Sequence, residues 1–514
     1  MSIHRQIGVG SILRVLALAT STGIALRLTP FVVHILGDRN YGLWTLVSTV
    51  GTYYALLDLG LSSAVTRHIA GALGNREKQE VNRIASTALA MYLVVGVLVF
   101  VASAIVASLS ACFLHTPAEI GIFRRLVLIA GASTGLTVPV RVFVGLLNAN
   151  LRFDISAGLD IMAVLLRAIL TYLSLKAGSG IMALAWIVLA VALVSLAGTV
   201  ACSYRVVSTL RLNVDHFQWD VAKRLISYGS ISLAAQLADL LRFQVDALVV
   251  AGFIGVAAVT HYNIAGALAQ YFISLMLAAT GFLGPIFSRL QAANDSKRMR
   301  ETLHLGSKVS VALANFVCFG LLAWGRPFIV CWMGTPYLDA YPPLAALALG
   351  LTVALWQTSS LQLLYGTSKH GIFAIFNSAE GLANLILSLL LVHRFGLLGV
   401  ALGTMIPMLI TKLLVQPWYV CRTTGLSVIE YYGVLGKTLT RTIAALLLPA
   451  GLTLHFSEPK LGALLWLAMA SLCCFVPVVY FFVFNRAERE LIGSIMPIRL
   501  SQSGRSTAIA EAVK

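Results

Sequence analysis

Apolar segments of about 20 residues recur along nearly the whole chain, and they restrict the fold more than any other feature of the sequence. A helix of about 20 apolar residues crosses the hydrocarbon core of a bilayer with all its backbone hydrogen bonds made internally. The segments therefore predict an all-α integral membrane protein with about 14 transmembrane helices. We place the spans at residues 11–36, 42–66, 84–111, 124–147, 154–177, 180–203, 224–252, 258–286, 305–330, 342–365, 371–394, 397–420, 437–456 and 461–485.

Composition and charge agree with this class. Only 11% of the residues are charged, whereas a soluble globular protein carries about 25%. The net charge of +17 would suggest a nucleic-acid partner in a soluble protein, but here the basic residues are distributed by side. Twenty-five Lys and Arg fall in the segments on the side of both termini, seven fall on the other side and five lie within spans. This asymmetry predicts that both termini are cytoplasmic and that no nucleic acid is bound.

An internal repeat divides the chain. The loop at residues 66–78 recurs at 288–300 with an offset of 222, so that three basic residues of one loop superpose on three of the other. Each six-helix half begins and ends on the cytoplasmic side, which indicates parallel repeats related by an axis along the membrane normal. We expect an N-lobe at 1–206 (spans 1–6), a cytoplasmic linker at 207–223, a C-lobe at 224–421 (spans 7–12), two further helices within 422–485, and a cytoplasmic tail with little regular structure at 486–514.

Charged residues deep inside spans 1 and 2 are candidates for function. A charge near the centre of a membrane helix costs at least about 2.5 kcal/mol, and such residues usually face protein or water. Arg27 shares one face of span 1 with Gly23, Pro30 and His34, and either lines a cavity or forms a structural pair with an acid. Asp58 of span 2 is either the counter-charge of Arg27, which we favour, or a site for a proton or cation.

Span 7 carries Asp239, Arg242 and Asp246 within about 60° of arc. A face with two acids and one base cannot contact lipid, so it should lie at the interface between the lobes, either against substrate or within an internal salt-bridge network. We predict Arg27, Arg242 and Arg141 as substrate-binding residues. We predict Asp58, Asp239 and Asp246 as coupling sites or counter-charges.

Lys412, Arg167 and Glu380 are three further charges within spans. Arg141 and Lys412 lie within about two turns of cytoplasmic ends, so each could face the cavity or extend to the membrane surface. Arg167 and Glu380 lie in spans 5 and 11, which occupy corresponding and less central positions in the two repeats. We expect these two residues to stabilise the packing of the bundle.

The segment at residues 35–70 resembles the opening of the polysaccharide transporter family. The likeness rests on Leu36-Gly37, on Tyr41-Gly42-Leu43-Trp44 and on Leu57-Asp58-Leu59-Gly60-Leu61. These proteins are flippases of lipid-linked oligosaccharides such as O-antigen repeat units, within the multidrug/oligosaccharidyl-lipid/polysaccharide exporter superfamily. The resemblance implies two lobes around a cationic cavity and alternating access for a polyprenyl-pyrophosphate-linked glycan in the bacterial cytoplasmic membrane. Arg27 and Arg242 look like the cavity arginines of that family.

The resemblance also implies partners: the lipid-linked glycan, membrane lipids, a coupling ion (H⁺ or Na⁺), and a glycan polymerase with export machinery. No metal site or cofactor is expected. The chain has no Gly-rich nucleotide-binding loop and no loop large enough for a catalytic domain, so we predict a transporter rather than an ATPase, glycosyltransferase or other enzyme.

The main alternative is a multidrug extrusion antiporter of the same superfamily, driven by Na⁺ or H⁺. Such a pump needs acids to hold its coupling ion and its cationic cargo. Span 1 has Arg27 and no acid, which disfavours cationic cargo, whereas Asp58, Asp239 and Asp246 keep this alternative open.

Overall fold

A computed structural model describes residues 3–58, 60–75, 77–112, 114, 116–227, 244–367, 369, 371–453 and 461–495. Throughout these ranges the regular structure is helical and contains no strand. The helices are α1 (Ile3–Tyr53), α2 (Leu61–Gly74), α3 (Lys78–Leu109), α4 (Pro117–Thr137), α5 (Val140–Ala149), α6 (Phe153–Lys176), α7 (Met182–Val206), α8 (described over 219–227), α9 (Val245–Phe253), α10 (Val256–Thr280), α11 (Leu283–Ala292), α12 (Ser296–Trp332), α13 (Tyr341–Trp356), α14 (Thr358–Gly366), α15 (Gly371–Ile410), α16 (Gln416–Thr424), α17 (Val428–Thr453), α18 (Leu461–Phe482) and α19 (Arg486–Ile495).

Helical residues occupy all fourteen predicted spans, with span 7 described only at its two ends. Within the described ranges, nine helical stretches are long and apolar enough to cross a membrane by themselves. This number is lower than fourteen because two of the stretches contain two spans each, span 7 lies largely outside the described ranges, and the helices of spans 5 and 13 (α6 and α17) are not among the nine. The all-α membrane architecture is therefore confirmed.

Two glycines turn the chain between consecutive spans without a loop. Gly37 in α1 (φ 75°) and Gly396 in α15 (φ 56°) have positive φ values, which side chains with a Cβ rarely adopt. The two halves of α15 pack against each other across this turn, where the Ser388 hydroxyl donates to the Val400 carbonyl at 3.2 Å. The predicted turns between spans 1 and 2 and between spans 11 and 12 are thus single-residue reversals.

Several spans are interrupted within the bundle. The interruptions are a 3₁₀-helix at Tyr54–Asp58 followed by Gly60 in span 2, Val138–Pro139 in span 4, Gly281–Phe282 in span 8, Gln357 in span 10, and a π-helix at Thr411–Val415 in span 12. The helices that resume in spans 2 and 8 start after residues 60 and 282, which are 222 residues apart, the offset of the sequence repeat. The pseudo-symmetry of the two lobes is therefore present in the backbone as well as in the loops.

The lobes meet mainly where α1 packs on α10. Gly42 makes this possible, because a Cβ there would lie 2.0 Å from the carbonyl oxygen of Val256. The two C-terminal spans, α17 and α18, pack on each other and on α12, outside the repeat.

The linker between the lobes is bound to α3 along its length. The backbone N–H groups of Arg211, Asn213 and Gln218 donate to Asn82, Ser86 and Thr87 of α3, at 3.0, 3.2 and 3.1 Å respectively. Two buried residues of α8, Val221 and Leu225, belong to the same apolar core as α3. The first turns of span 7 are therefore fixed on the N-lobe.

The tail contains more structure than its weak apolar periodicity predicts. Residues 486–495 form α19, and the Lys308 ammonium contacts both Glu488 carboxylate oxygens, at 2.7 and 2.9 Å. This partly buried ion pair attaches α19 to α12 and corrects the expectation of an unstructured tail for these ten residues.

Candidate functional site

Asp58 is paired with Arg141 and not, as we expected, with Arg27. The Arg141 Nη1 atom lies 2.9 Å from the buried Asp58 Oδ1 atom. The contact is an ion pair without the alignment of a hydrogen bond, since Oδ1 has no hydrogen-bond partner within the described residues. The pair forms because the interruptions of spans 2 and 4 bring α2 and α5 side by side. Arg141 is thereby largely neutralised and does not extend to the membrane surface as a free charge.

Arg27 lies on an exposed stripe of α1. Gly23 and His34, which share its helix face, are also exposed, and Arg27 makes no salt bridge to any described residue. The neighbouring Leu26 carbonyl accepts a hydrogen bond from Trp332 Nε1 at 2.6 Å. Span 1 therefore contacts the C-lobe at this level and presents a charge that has no counter-ion among the described residues.

A cavity of about 350 Å³ lies between α1 and the C-lobe. Its polar lining consists of hydroxyl and amide side chains and one carboxylate: Thr45, Thr49, Gln244, Asp246, Tyr262, Asn263, Gln270, Tyr271 and Thr404. Thr45 and Thr49 come from the N-lobe, so the cavity is shared by the two lobes. None of the described arginines or lysines lines it.

Asp246 is the centre of a buried polar cluster beside this cavity. Its Oδ2 atom accepts hydrogen bonds from the Tyr262 hydroxyl at 2.5 Å and from the Thr404 hydroxyl at 2.8 Å. The Thr404 hydroxyl also lies 3.3 Å from Asn384 Oδ1, to which Ser388 donates at 2.9 Å. Asp246 Oδ1 is buried without a hydrogen-bond partner among the described residues, and no described salt bridge involves this carboxylate. A buried carboxylate in this setting takes up a proton or attracts a cation.

The other two charges predicted on span 7, Asp239 and Arg242, lie in residues 228–243, outside the described ranges. Their placement at the interface between the lobes stays a prediction.

Lys412 is buried and does not extend to the membrane surface. Its ammonium lies 3.4 Å from Glu380 Oε2 and donates to Asn377 Oδ1 at 2.8 Å, over the ring of Phe373. The π-helix at Thr411–Val415 turns the lysine inward, and Thr411 also donates to Glu380. Glu380 thus has the packing role that we expected.

Arg167, in contrast, is exposed on α6 and forms no ion pair with a described residue. Nothing in its surroundings supports the packing role predicted from the repeat.

Charge-based reasoning missed the neutral members of the cluster, namely Tyr262, Thr404 and Asn384. A usable signal was present, because Asn384 and Ser388 lie four residues apart in the apolar helix of span 11. Such a pattern places polar groups on one helix face.

Comparison with known proteins gives the family context. A family model described as "Polysaccharide biosynthesis protein" matches residues 31–342. The uncharacterised membrane protein EpsK of Bacillus subtilis is 24% identical over 426 residues, which are 80% of this chain and 82% of EpsK. The succinoglycan biosynthesis transport protein ExoT of Rhizobium meliloti is 25% identical over 339 residues, covering 65% of this chain and 64% of ExoT.

Two solved structures share the fold. The lipid II flippase MurJ, in an inward closed conformation, superposes with a TM-score of 0.71 at 16% identity over 94% of this chain and 100% of MurJ. A multidrug resistance MATE family transporter of the MOP superfamily, in an inward-facing conformation, also gives 0.71 at 16% identity, over 81% and 98%. Since both scores are equal, the fold alone does not separate a flippase from a drug exporter.

Proposed function

Because the chain belongs to the polysaccharide biosynthesis protein family, we propose that it is a flippase and not an enzyme. Its cargo is a polyprenyl-pyrophosphate-linked oligosaccharide, such as a repeat unit of O-antigen, capsule or exopolysaccharide. The lobes alternate in access and carry this cargo across the bacterial cytoplasmic membrane, with both termini cytoplasmic. ExoT is named as a transport protein and MurJ as a flippase, and both names support this assignment.

The observation that carries the proposal is the chemistry of the shared cavity. Its hydroxyl and amide lining can donate to and accept from sugar hydroxyls at many positions. The tyrosine rings at 262 and 271 offer apolar faces to pyranose rings. Half of the eighteen residues that line the cavity are polar and half are apolar, so it offers more hydrogen-bonding groups than a pocket for a lipophilic drug, which carries few polar groups.

The pyrophosphate needs a cation outside this lining. Arg27 suits the role because its guanidinium keeps its charge, has no internal counter-ion among the described residues, and can bind two phosphate oxygens at once. Arg242 is its proposed counterpart on span 7. Arg141 is the weakest candidate for binding the pyrophosphate among the three predicted arginines, since Asp58 already neutralises its charge.

Asp246 is the proposed coupling site. Its cluster contains two hydroxyls that bind Asp246 and one amide oxygen that lies next to the Thr404 hydroxyl. The second carboxylate oxygen of Asp246 has no hydrogen-bond partner among the described residues, so the cluster suits a proton or Na⁺. The same buried acid is what a drug antiporter would use, so it is the observation that favours the second candidate function.

The test uses cells that lack the protein. A flippase predicts accumulation of the polyprenyl-linked oligosaccharide, with unchanged sensitivity to cationic drugs, and restoration by the wild-type gene. Arg27→Ala should fail to restore export although the protein is in the membrane, whereas Arg27→Lys should restore it in part. Arg394→Ala, at an exposed arginine that does not line the cavity, is the matched control. Full export by Arg27→Ala would remove the cargo role, and drug sensitivity without glycan accumulation would favour the antiporter.

A further inference from the structure

The lobes are held together at one end of the bundle by Asp38, the residue after the Gly37 turn. We call this the turn end, defined by Gly37 of the N-lobe and the 3₁₀-helix Thr335–Ala340 of the C-lobe. The Tyr337 hydroxyl donates to Asp38 Oδ1 at 2.6 Å, and the Thr260 hydroxyl donates to the Asp38 carbonyl at 2.6 Å. Both donors belong to the C-lobe. Asp38 is therefore a junction that breaks when the lobes separate at this end.

His261 completes the junction with a titratable ring. Its Nε2 atom lies 3.6 Å from Asp38 Oδ2, and its Nδ1 atom lies 2.7 Å from Asp339 Oδ1. The ring also contacts Tyr337, with a centroid separation of 5.0 Å. Asp339 moves with His261 because both are in the C-lobe, whereas Asp38 is in the N-lobe. A positive charge on the ring thus adds attraction between the lobes through Asp38 alone.

Other charged groups near the ring do not compete for Asp38. Arg39, the adjacent cation of α1, is held by Glu119 and by Thr116 Oγ1 of the N-lobe. The ring of His34 in α1 lies 6.2 Å from that of Tyr337, and its Nδ1 atom is hydrogen-bonded to the Pro30 carbonyl. Among the described residues, Asp38 and Asp339 are the two carboxylates that His261 contacts.

We propose that His261 is a proton-operated latch that joins Asp38 of the N-lobe to the C-lobe and favours closure of the turn end. The proposal rests on the alternating access of the proposed function, in which the turn end faces the outside. It adds a regulation to that function, because acidification of the outer compartment would delay opening toward it.

The direction of the effect follows from the charges. Histidine changes charge between about pH 5 and about pH 8. A positive charge on the ring is attracted by Asp38 only in the closed state, so protonation of the ring favours closure. Without that charge the ion pair is lost, whereas the hydrogen bonds of Tyr337 and Thr260 to Asp38 remain.

The experiment measures the width of the turn end directly. In a variant without the native cysteines, Ala118→Cys and Thr335→Cys, both exposed and on opposite lobes, carry spin labels. Distance distributions are recorded by pulsed electron resonance in lipid nanodiscs without glycan, from about pH 8 to about pH 5. We expect the closed-to-open ratio to rise by about threefold on acidification, the size expected for one partly exposed charge pair.

The controls isolate the ring. His261→Gln should make the ratio independent of pH, and Asp38→Asn should do the same because the amide carries no charge. His304 is a matched histidine, since its Nε2 lies 3.1 Å from Glu430 and its side chain is 20% exposed, against 17% for His261. His304–Glu430 does not join the lobes, so His304→Gln should keep the full response. A wild-type ratio that does not change with pH, or a response that survives in His261→Gln, would overturn the latch.

The outcome is separable from that of the proposed function. The distance measurement uses no cargo, so a pH response together with normal glycan export in cells lacking the protein would support the latch and refute the flippase. Glycan accumulation in those cells with a flat pH response would do the reverse.

Discussion

The pair between Arg141 and Asp58 allows substrate binding to be distinguished from structural pairing. We consider Arg141→Gln, Asp58→Asn and the double variant. If Arg141 serves mainly to neutralise Asp58, Arg141→Gln should be the most destabilising of the three. The double variant should recover much of the lost stability, because it buries two neutral groups that can hydrogen-bond to each other.

The expected magnitudes follow from the exposure of the two side chains. Removing one partner of a buried ion pair costs about 3–5 kcal/mol. The Arg141 side chain is 36% exposed and that of Asp58 only 7%, so water can solvate a lone guanidinium but not a lone carboxylate. We therefore expect the free energy of unfolding to fall by about 2–3 kcal/mol for Arg141→Gln and by about 1 kcal/mol for each of the other two variants. The midpoint of thermal unfolding should fall by about 4 °C for Arg141→Gln.

The assay has two readouts on the same purified variants. Thermal unfolding in nanodiscs gives the stability and the coupling between the two positions, and complementation of glycan export gives function. We expect the double variant to be stable and to restore export. A stable double variant that restores no export would refute our reasoning and return Arg141 to the cargo site, while additive losses of stability would show that the two side chains do not interact.

Three further predictions concern other parts of the bundle. Asp246→Asn should fold normally, because the amide oxygen still accepts from the surrounding hydroxyls, but transport in vesicles should no longer respond to an imposed ion gradient; a retained response would exclude this coupling site. Gly42→Ala should shift the spin-label distances toward an open turn end, because the added methyl group meets the Val256 carbonyl, whereas Gly51→Ala, with no atom nearby, should not; equal distances in both would contradict the proposed contact. Lys412→Met should lower the unfolding midpoint by several degrees, since it leaves a buried carboxylate without its ammonium partner, and unchanged thermal unfolding would show that this ion pair contributes no net stability.

Reasoning from charge alone identified the candidate residues but not the pairs that they form. Mid-membrane charges are costly, so Asp58, Arg141 and Asp246 could be recognised one at a time in the sequence. Their partners could not, because Asp58 and Arg141 are 83 residues apart and meet only where two interrupted helices pack. From the sequence we expected Arg27 to be the partner of Asp58, but in the structure its partner is Arg141.

Hydropathy determined that the chain is a helical membrane protein with about fourteen spans, because bilayer thickness and backbone hydrogen bonding act on each segment separately. The basic loops at residues 66–78 and 288–300 showed the repeat. Tertiary structure alone decided which helices are interrupted, which charges neutralise each other and which hydroxyls surround Asp246. It also placed Asp38 and His261, which are more than 200 residues apart, against each other. Such contacts depend on the relative position of whole helices, and within a uniformly apolar bundle no local pattern specifies that position.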